Sequence, residues 1–356
     1  MRIYLRFLII SMCFCAESLA QSPVPTSTYT LHAQKEPREW SLVEIPTPPS
    51  TVLATTAAGA LLILIPQPER KWVLKELEGW STQTPQEQSL AVSSDAPRDG
   101  DVWITGDLIV TRDGRYALVR ITSRRRSSGA TPFEVQATVT LVDLHGFSLV
   151  YRRTTTEPLI AGAQWSLTKD NLLISNALTK RSRINKQITS PVTDNYEAAV
   201  LNLPDLETSE SCYYTKVLEF HNGNGWQTEE EKTAELKCAK VLEAVNVASV
   251  SGLPGENIAV KLAKGLHAPP KCGITNISDD GRFALYYCSE GHQTAWDTFK
   301  TTSRSLLVVS TAGSTAVLSI TLKVKQPTIA TLATAEGQQY LILVRDGIKV
   351  ETYRVQ

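Results

Sequence analysis

The sequence predicts an all-β fold, a β-propeller of about six four-stranded blades, with five to seven compatible with its 356 residues. Three observations lead to this prediction. A turn phrase recurs at a spacing near 55 residues. Short apolar runs with a period of two lie between its copies, as half-buried strands require. One stretch with helical spacing interrupts the series, and it predicts a short helical insertion.

The recurring phrase is a Ser or Thr, two residues that are often charged, a Gly or Asn, and an apolar run. It is clearest at residues 278–286 and 111–119, and looser copies begin at Thr56, Thr168 and Thr334. Successive hydroxyl positions lie 55, 57, 110 and 56 residues apart, and 110 is two periods. A fixed period indicates a repeat architecture. Three central residues ending in Gly suit a type I turn closed by a left-handed residue.

Each period has room for one blade of four antiparallel strands. In the clearest unit, strands at 108–111 and 116–122 flank the Asp-Gly turn, and strands at 135–141 and 147–152 follow. Further units are predicted from residues 52, 165, 274 and 329. The last unit is one strand short, so we expect a strand near Trp40 to complete it and to close the ring.

Residues 1–20 have the pattern of a secretory signal peptide. Arg2 and Arg6 precede or flank an apolar run of ten residues, and small residues lead up to Ala20. Residues 21–30 are polar and contain proline, which predicts a flexible lead. Residues 31–356 form the predicted propeller domain. The sequence therefore predicts a secreted or periplasmic protein.

The fourth slot of the repeat departs from the pattern. Residues 228–231 (Thr-Glu-Glu-Glu) form a capping box, and apolar residues then recur at helical spacing from Ala234 to Val245. This predicts a helix over 226–246. We interpret residues 221–271 as a helical insertion or a degenerate blade.

Four cysteines remain after the signal peptide, and an even number in an exported chain favours disulfides. If residues 279–281 form the loop, Ser278 pairs with Arg282, and stepping outward in twos places Cys272 opposite Cys288. That pairing leaves Cys212 to bond with Cys238. No Cys-x-x-Cys pair occurs in the sequence, so we expect no zinc site.

The phrase Ser-x-Asp-Gly-Arg-Phe-Ala-Leu-Tyr at 278–286, with its copy at 111–119, resembles the WD40-like repeat of TolB-type and related bacterial propellers. In such families each blade opens with this turn between its first two strands. The resemblance implies a propeller fold and a secreted protein. It covers only turn and strand residues, so it implies no ligand and no activity.

Charge and motifs exclude several functions. The chain has 36 basic and 36 acidic residues, and loss of Arg2, Arg6 and Glu17 with the signal leaves 34 and 35. This near-neutral charge argues against nucleic-acid binding. No further apolar run reaches 18 residues, so we expect no transmembrane segment. There is no Gly-x-Ser-x-Gly elbow and the five histidines are scattered.

The predicted innermost strands carry mostly hydroxyl and amide side chains, with Asp107 the nearby acid. They are Thr55, Thr111, Gln164, Ser166, Asn276 and Thr331. We therefore expect no catalytic residue, no cofactor and no metal.

Loops that join second to third strands share one face of a propeller, and in two adjacent blades they are rich in cations. These residues are Arg124, Arg125, Arg126, Lys180, Arg181, Arg183 and Lys186. The turns of the opposite face carry Asp113, Asp170, Asp279, Asp280 and Glu336. The sequence predicts an anion-binding rim for an acidic glycan or a protein's acidic patch, because guanidinium groups form bidentate contacts with carboxylates and phosphates.

The favoured function is an exported, non-catalytic β-propeller that acts as a binding or scaffold module in the cell envelope. The alternative is a propeller-type hydrolase or lyase acting on envelope sugars or lactones. Such an enzyme should show two carboxylates, or a His–carboxylate pair, converging in the central channel.

Overall fold

The computed structural model describes residues 23–32, 53–56, 58–67, 71–93, 101–111, 113–126, 133–167, 173–182, 193–217, 232–238, 272–278, 280–295, 298–313, 315–324, 326 and 328–355. This part of the chain contains twenty strands in five four-stranded antiparallel sheets. Within these ranges no helix has the length and hydropathy of a membrane-spanning segment.

The strands are numbered in chain order, beginning with β1 (Ser27–Thr30). Sheet I contains β2 (Leu53–Thr55), β3 (Leu61–Gln67), β4 (Lys71–Glu78) and β5 (Gln86–Ala91). Sheet II contains β6 (Asp101–Val110), β7 (Tyr116–Arg126), β8 (Phe133–Asp143) and β9 (Ser148–Thr155). Sheet III contains β10 (Gln164–Leu167), β11 (Leu173–Ser182), β12 (Thr193–Leu201) and β13 (Thr208–Val217). Sheet IV contains β14 (Cys272–Ile277), β15 (Phe283–Ala295), β16 (Thr298–Ser310) and β17 (Ala316–Leu322).

Sheet V unites the two ends of the described chain. It contains β18 (Thr328–Ala335), β19 (Gln338–Arg345) and β20 (Lys349–Arg354), and β1 is its outermost strand. A π-helical turn, Pro158–Gly162, links sheets II and III. A short helix, α1, occupies residues 232–238.

The sheets are arranged as the blades of a propeller. The first strands of neighbouring sheets contact one another, β2 with β6 and β18, and β14 with β18, so these strands line the inner edge. Apolar clusters join the sheets face to face in the order IV, V, I, II, III. The predicted β-propeller class is confirmed, and the five sheets described agree with the lower end of the predicted blade number.

Burial on both faces explains the most apolar strands. Leu341 and Leu343 of β19 pack toward sheet IV, whereas Ile342 and Val344 pack toward sheet I. All four side chains are fully buried. A strand covered on both faces reads as a continuous apolar run because neither face meets water.

The recurring turns have the predicted left-handed glycines, with φ of +84° at Gly59, +69° at Gly114 and Gly281, and +71° at Gly337. Their lengths differ from the prediction of three central residues at two sites. The Ser278 amide donates to the Phe283 carbonyl, so that turn has four central residues. The turn after Thr111 has the same length, since its amide donates to the Tyr116 carbonyl.

Two looser copies adopt other lengths. The Thr56 amide donates to the Ala60 carbonyl at 2.9 Å, which leaves three central residues as predicted. Glu336 and Gly337 alone connect β18 to β19, both with positive φ, which is the geometry of a type I′ hairpin. The copy that begins at Thr168 lies outside the described residues.

The disulfide between Cys272 and Cys288 is confirmed, although the predicted register holds only in part. Because the turn is one residue longer than predicted, Asn276 lies opposite Leu285 rather than Ala284. A β-bulge between Ile274 and Asn276 then restores the predicted pairing. The cysteines are therefore directly opposite each other, as the sequence predicted.

The second predicted disulfide, Cys212 with Cys238, is also confirmed, and its Cα atoms are 5.5 Å apart. It ties β13, the outer strand of sheet III, to α1. The described helix lies within the predicted helix 226–246, and Cys238 is 2% exposed. The rest of the segment 221–271 lies outside the described residues.

Sheet V is completed by a different strand from the one predicted. β1 pairs with β20, with Ser27 opposite Thr352 and Thr30 opposite Lys349, and the hydroxyls of Ser27 and Thr352 are 2.6 Å apart. Part of the segment 21–30, predicted to be a flexible lead, is thus an edge strand whose hydroxyl residues suit a half-exposed sheet. Trp40 lies outside the described residues.

Gly106 lies in β6, where sheet II packs tightly against Trp72 and Leu64 of sheet I. A Cβ at this position would come 2.8 Å from Trp72 Cζ3 and 2.9 Å from Leu64 Cδ2. Both neighbours are fully buried, so they cannot move away freely. We expect Gly106→Ala to lower the free energy of unfolding by about 1–3 kcal/mol.

Chemical denaturation of the full chain measures this effect. The matched control is Gly273→Ala in β14, another first strand, where a Cβ would meet no atom within 4 Å. Equal denaturation midpoints for the two variants would contradict the close packing of sheets I and II.

Candidate functional site

The inner strands contain few acids. Among their described residues only Asp101 and Asp107 are acidic. Both lie on β6, six residue steps apart, which corresponds to roughly 20 Å of strand. The Asn276 side-chain oxygen accepts a hydrogen bond from the Leu332 amide at 3.2 Å and so links two neighbouring first strands. Thr111 and Thr331 are buried. The polar residues predicted for these strands therefore have packing and hydrogen-bonding roles where they are described.

Asp107 forms an ion pair with the buried side chain of Arg120. Its Oδ2 accepts hydrogen bonds from Arg120 Nε at 2.8 Å and Nη2 at 2.6 Å. Arg120 Nη1 donates to the carbonyls of Ile160 and Ala163, at 3.1 and 2.7 Å. Its guanidinium carbon lies 4.1 Å from the ring centre of Trp165. This arginine fastens sheet II to the π-helical turn and to sheet III.

A second buried ion pair lies between sheets V and I. Lys75 Nζ donates to Glu87 Oε1, to the His32 carbonyl at 2.7 Å and to Ser89 Oγ at 3.0 Å. Glu87 Oε2 accepts from the Tyr29 hydroxyl at 3.1 Å and the His32 amide at 2.9 Å. Burial alone would raise the pKa of Glu87, but the hydrogen bonds from Lys75 and His32 hold that pKa below its usual value. The pair anchors the segment after β1.

Glu351 of β20 forms a third cluster of this kind. It accepts hydrogen bonds from Arg345 Nε at 2.7 Å and from the Tyr353 hydroxyl at 2.9 Å, and Lys349 Nζ lies 2.6 Å away. Burial would raise the pKa of Glu351, and the hydrogen bonds from Lys349 and Arg345 lower it below the usual value. In all three clusters a buried charge is fully matched by its neighbours, which indicates a structural role.

The cations of the predicted rim lie at equivalent places in sheets II and III. Arg124, Arg125 and Arg126 end β7, and Lys180 and Arg181 lie near the end of β11. Each strand is the second of its sheet, so the ends of the two strands lie on one face of the propeller. Arg183 and Lys186 lie outside the described residues.

One feature of the predicted rim is corrected. Its described members are strand residues rather than loop residues, because pairing with the third strand continues beyond the buried part of each sheet. Acids lie opposite both groups: Asp101 of β6 and Glu134 of β8 are paired with Arg125, and Asp194 of β12 is paired with Arg181. A cross-strand acid thus accompanies each group, which the linear sequence did not make evident.

The acidic turns of the opposite face owe their acids to turn formation. Asp113 Oδ1 accepts from Thr111 Oγ1 at 2.5 Å and from the Arg115 amide at 3.1 Å, and these bonds lower the pKa of Asp113. Asp280 makes the equivalent bonds with Ser278 and Arg282. Glu336 is exposed in its turn, and Asp170 and Asp279 lie outside the described residues.

One cleft was missed by sequence reasoning. It opens between sheets I and II on the face of the acidic turns, has a volume of about 340 Å³, and is lined in part by Glu76, Glu78 and His145. The sequence of β4 gave no indication of this cleft, because charged residues in a strand normally indicate an exposed face. Among the described residues, no group of three or more His, Cys, Asp or Glu side chains is placed to hold a metal ion.

The order of sheets and their shared inner edge define a protein of the β-propeller class. No protein-family model matches the chain, and neither does any curated protein. Similar solved structures include the β-propeller domain of the trilobed protease from Pyrococcus furiosus, with 9% identity over 85% of this chain and 82% of that one, and a TM-score of 0.27.

Two further similar solved structures are enzymes of different kinds by name. A prolyl endopeptidase is 12% identical over 86% of this chain and 36% of its own length, with a TM-score of 0.26. The mannose phosphorylase MPT-4 from Leishmania mexicana is 8% identical over 90% and 91%, with a TM-score of 0.24. Because identities and scores are this low, the assignment to the propeller class rests on the sheet order.

Proposed function

We propose that this protein is an exported, non-catalytic β-propeller that binds an anionic envelope partner through its basic rim. The rim comprises Arg124, Arg125, Arg126, Lys180, Arg181, Arg183 and Lys186. The single observation that carries the proposal is the placement of consecutive cations at the same end of β7 and β11, the second strands of adjacent sheets. The resemblance of the turn phrase to TolB-type envelope propellers supports the same location.

Two features support export. Residues 1–20 have the pattern of a signal peptide, and both disulfides join strands or helices of the folded domain. Disulfides persist chiefly in oxidising compartments such as the periplasm or the cell exterior.

The charge balance of the rim supports an anionic partner. Against its five described cations, the paired strands place three acids: Asp101 and Glu134, both opposite Arg125, and Asp194 opposite Arg181. Arg124 and Arg125 are exposed. On the opposite face, by contrast, Arg282 Nε contacts Asp280 Oδ2 at 2.5 Å within its own turn. A local excess of guanidinium groups suits carboxylate or phosphate groups presented at intervals, as on an acidic glycan or an acidic protein surface.

Replacement of Arg124, Arg125 and Arg126 by Ser tests the proposal. We expect the variant to elute from a polygalacturonate resin at clearly lower salt than the parent, because exposed charges are screened over about 10 Å at 0.1 M salt. The matched control removes Arg115, Arg282 and Arg354, three exposed cations at or near the turns of the opposite face. It has the same net charge as the rim variant.

If both triple variants shift equally, bulk charge alone explains retention and the rim has no special role. A parallel capture from an envelope protein extract distinguishes the two partners. If the partner is an acidic glycan, the rim variant should be retained less strongly on polygalacturonate. If the partner is an acidic protein, the rim variant should lose binding only in the capture from the extract. Retention unchanged in both arms would contradict the proposal.

The alternative hydrolase or lyase has less support. It needs two carboxylates or a His–carboxylate pair that converge in the central channel. Among the described inner strands, the acids are Asp101 and Asp107, on a single strand, and Asp107 is bonded to Arg120. This arrangement favours the binding role.

A further inference from the structure

The cleft between sheets I and II is formed where two pairs of turns meet. Gly59 belongs to the β2–β3 turn, Gly79 follows β4, Gly114 belongs to the β6–β7 turn, and His145 belongs to the β8–β9 turn. Because three of these residues lack a side chain, backbone groups and a volume of about 340 Å³ remain accessible. This volume lies in the range of small-molecule sites.

The position of Glu76 in the cleft follows from the alternation of β4. Trp72, Leu74, Glu76 and Glu78 share the face that packs toward sheet II, and the first two belong to the core. The cross-strand neighbours of Glu76 are Leu62 and Gln88, which carry no charge. Glu76 is only 6% exposed, yet it lines the cleft.

Glu76 differs from the other buried glutamates of this fold. Glu87 and Glu351 each accept hydrogen bonds from cationic neighbours. Among the described residues, none donates a hydrogen bond to the Glu76 carboxyl, and burial together with the charge of Glu78 raises its pKa. Its carboxyl group opens onto the cleft, so a ligand bound there can supply the hydrogen-bond donor that the described residues do not.

We propose that this cleft binds a small organic cation, a protonated amine or a guanidinium, with Glu76 as the buried counter-charge and Glu78 as the exposed one. Two carboxylates on one strand face attract a cation that donates several hydrogen bonds. The glycine-lined walls admit an alkyl group beside it. The cleft lies on the opposite face from the basic rim, so the two proposals can be tested independently.

The charged and titratable groups that share the cleft with Glu76 are Glu78 on the same strand and His145 across the cleft, whose Nδ1 lies 3.8 Å from Asp143 Oδ1. The pH dependence of binding follows from Glu76, whose pKa is raised by burial and by the charge of Glu78. Protonation of Glu76 removes the buried counter-charge. Affinity for the cation should therefore fall as the pH is lowered.

Thermal unfolding of the full mature chain with n-butylammonium or n-butylguanidinium chloride tests the proposal, with n-butanol as the uncharged probe. We expect either cation to raise Tm in a concentration-dependent way, and butanol to have no such effect. Glu76→Gln should weaken binding at least tenfold and leave the free protein as stable as the parent or more so, because it removes an unmatched buried charge. Glu78→Gln, at an exposed position, should weaken binding severalfold.

The control variant is Glu210→Gln, an exposed glutamate on β13, which should bind the probes as the parent does. Equal stabilisation by butanol, or unchanged binding by Glu78→Gln, would overturn the proposal. So would a Glu76→Gln protein that is less stable than the control, because that result assigns Glu76 a structural role. A Glu76→Gln protein that fails to fold would overturn the proposal on the same ground.

Discussion

A chain that lacks residues 350–356 is expected to lose cooperative folding. β20 lies between β1 and β19, so its removal leaves β1 without a partner and exposes an edge of the sheet. Val350, Tyr353 and Val355 are 1%, 5% and 5% exposed. Their burial contributes roughly 2 kcal/mol each, and the total is comparable with the roughly 5–15 kcal/mol by which a typical domain is stable.

Circular dichroism melting of the parent chain and the truncated chain measures this loss. The control is Arg354→Ala, an exposed position in the same strand, which should cost no more than about 0.5 kcal/mol. A truncated protein that melts at the parent temperature would contradict the closure of sheet V by both chain ends.

Replacement of Lys75 by Met is expected to lower the free energy of unfolding by about 3–5 kcal/mol at neutral pH, because it leaves a buried, unmatched carboxylate. The side chains of Lys75 and Glu87 are 3% and 6% exposed. The segment that contains Tyr29 and His32 would also lose part of its attachment to sheet I. Chemical denaturation at several pH values provides the measurement.

The double variant Lys75→Met with Glu87→Gln is the matched control. The amide that replaces the carboxylate would be neutral and would still accept hydrogen bonds from the Tyr29 hydroxyl and the His32 amide. We therefore expect the double variant to be more stable than Lys75→Met alone. Equal stability of the two variants would mean that the unmatched Glu87 carboxylate is not what destabilises Lys75→Met.

The pH dependence follows from the lowered pKa of Glu87. In the parent protein the stability from this carboxylate is complete above its unfolded pKa, and it is lost as the pH falls through the lower folded pKa. In Lys75→Met, burial without the lysine favours the protonated form instead. The difference in stability between parent and variant should therefore shrink as the solution is acidified. A difference that is constant with pH would indicate lost packing rather than lost charge pairing.

Local sequence features determined the class of fold and the disulfides. Hairpin turns depend on a few adjacent residues, and left-handed glycines at positions such as Gly114 and Gly281 are visible in the sequence. The pairing of Cys272 with Cys288 was predicted correctly although the turn is one residue longer than expected. A bulge of one residue compensates for the longer turn, because a disulfide requires the two strands to be in register at the cysteines.

Long-range pairing decided the remaining features. β1 completes sheet V, although nothing in its four hydroxyl-rich and aromatic residues distinguishes it from other polar segments; only contact with β20, more than 300 residues later, selects it. The acids opposite Arg125 and the burial of Glu76 likewise depend on which strand or sheet lies beside them. Turn geometry and strand period are local properties that residue type controls directly. The partner of an edge strand or of a buried charge is set by the packing of neighbouring sheets, and only the tertiary structure specifies it.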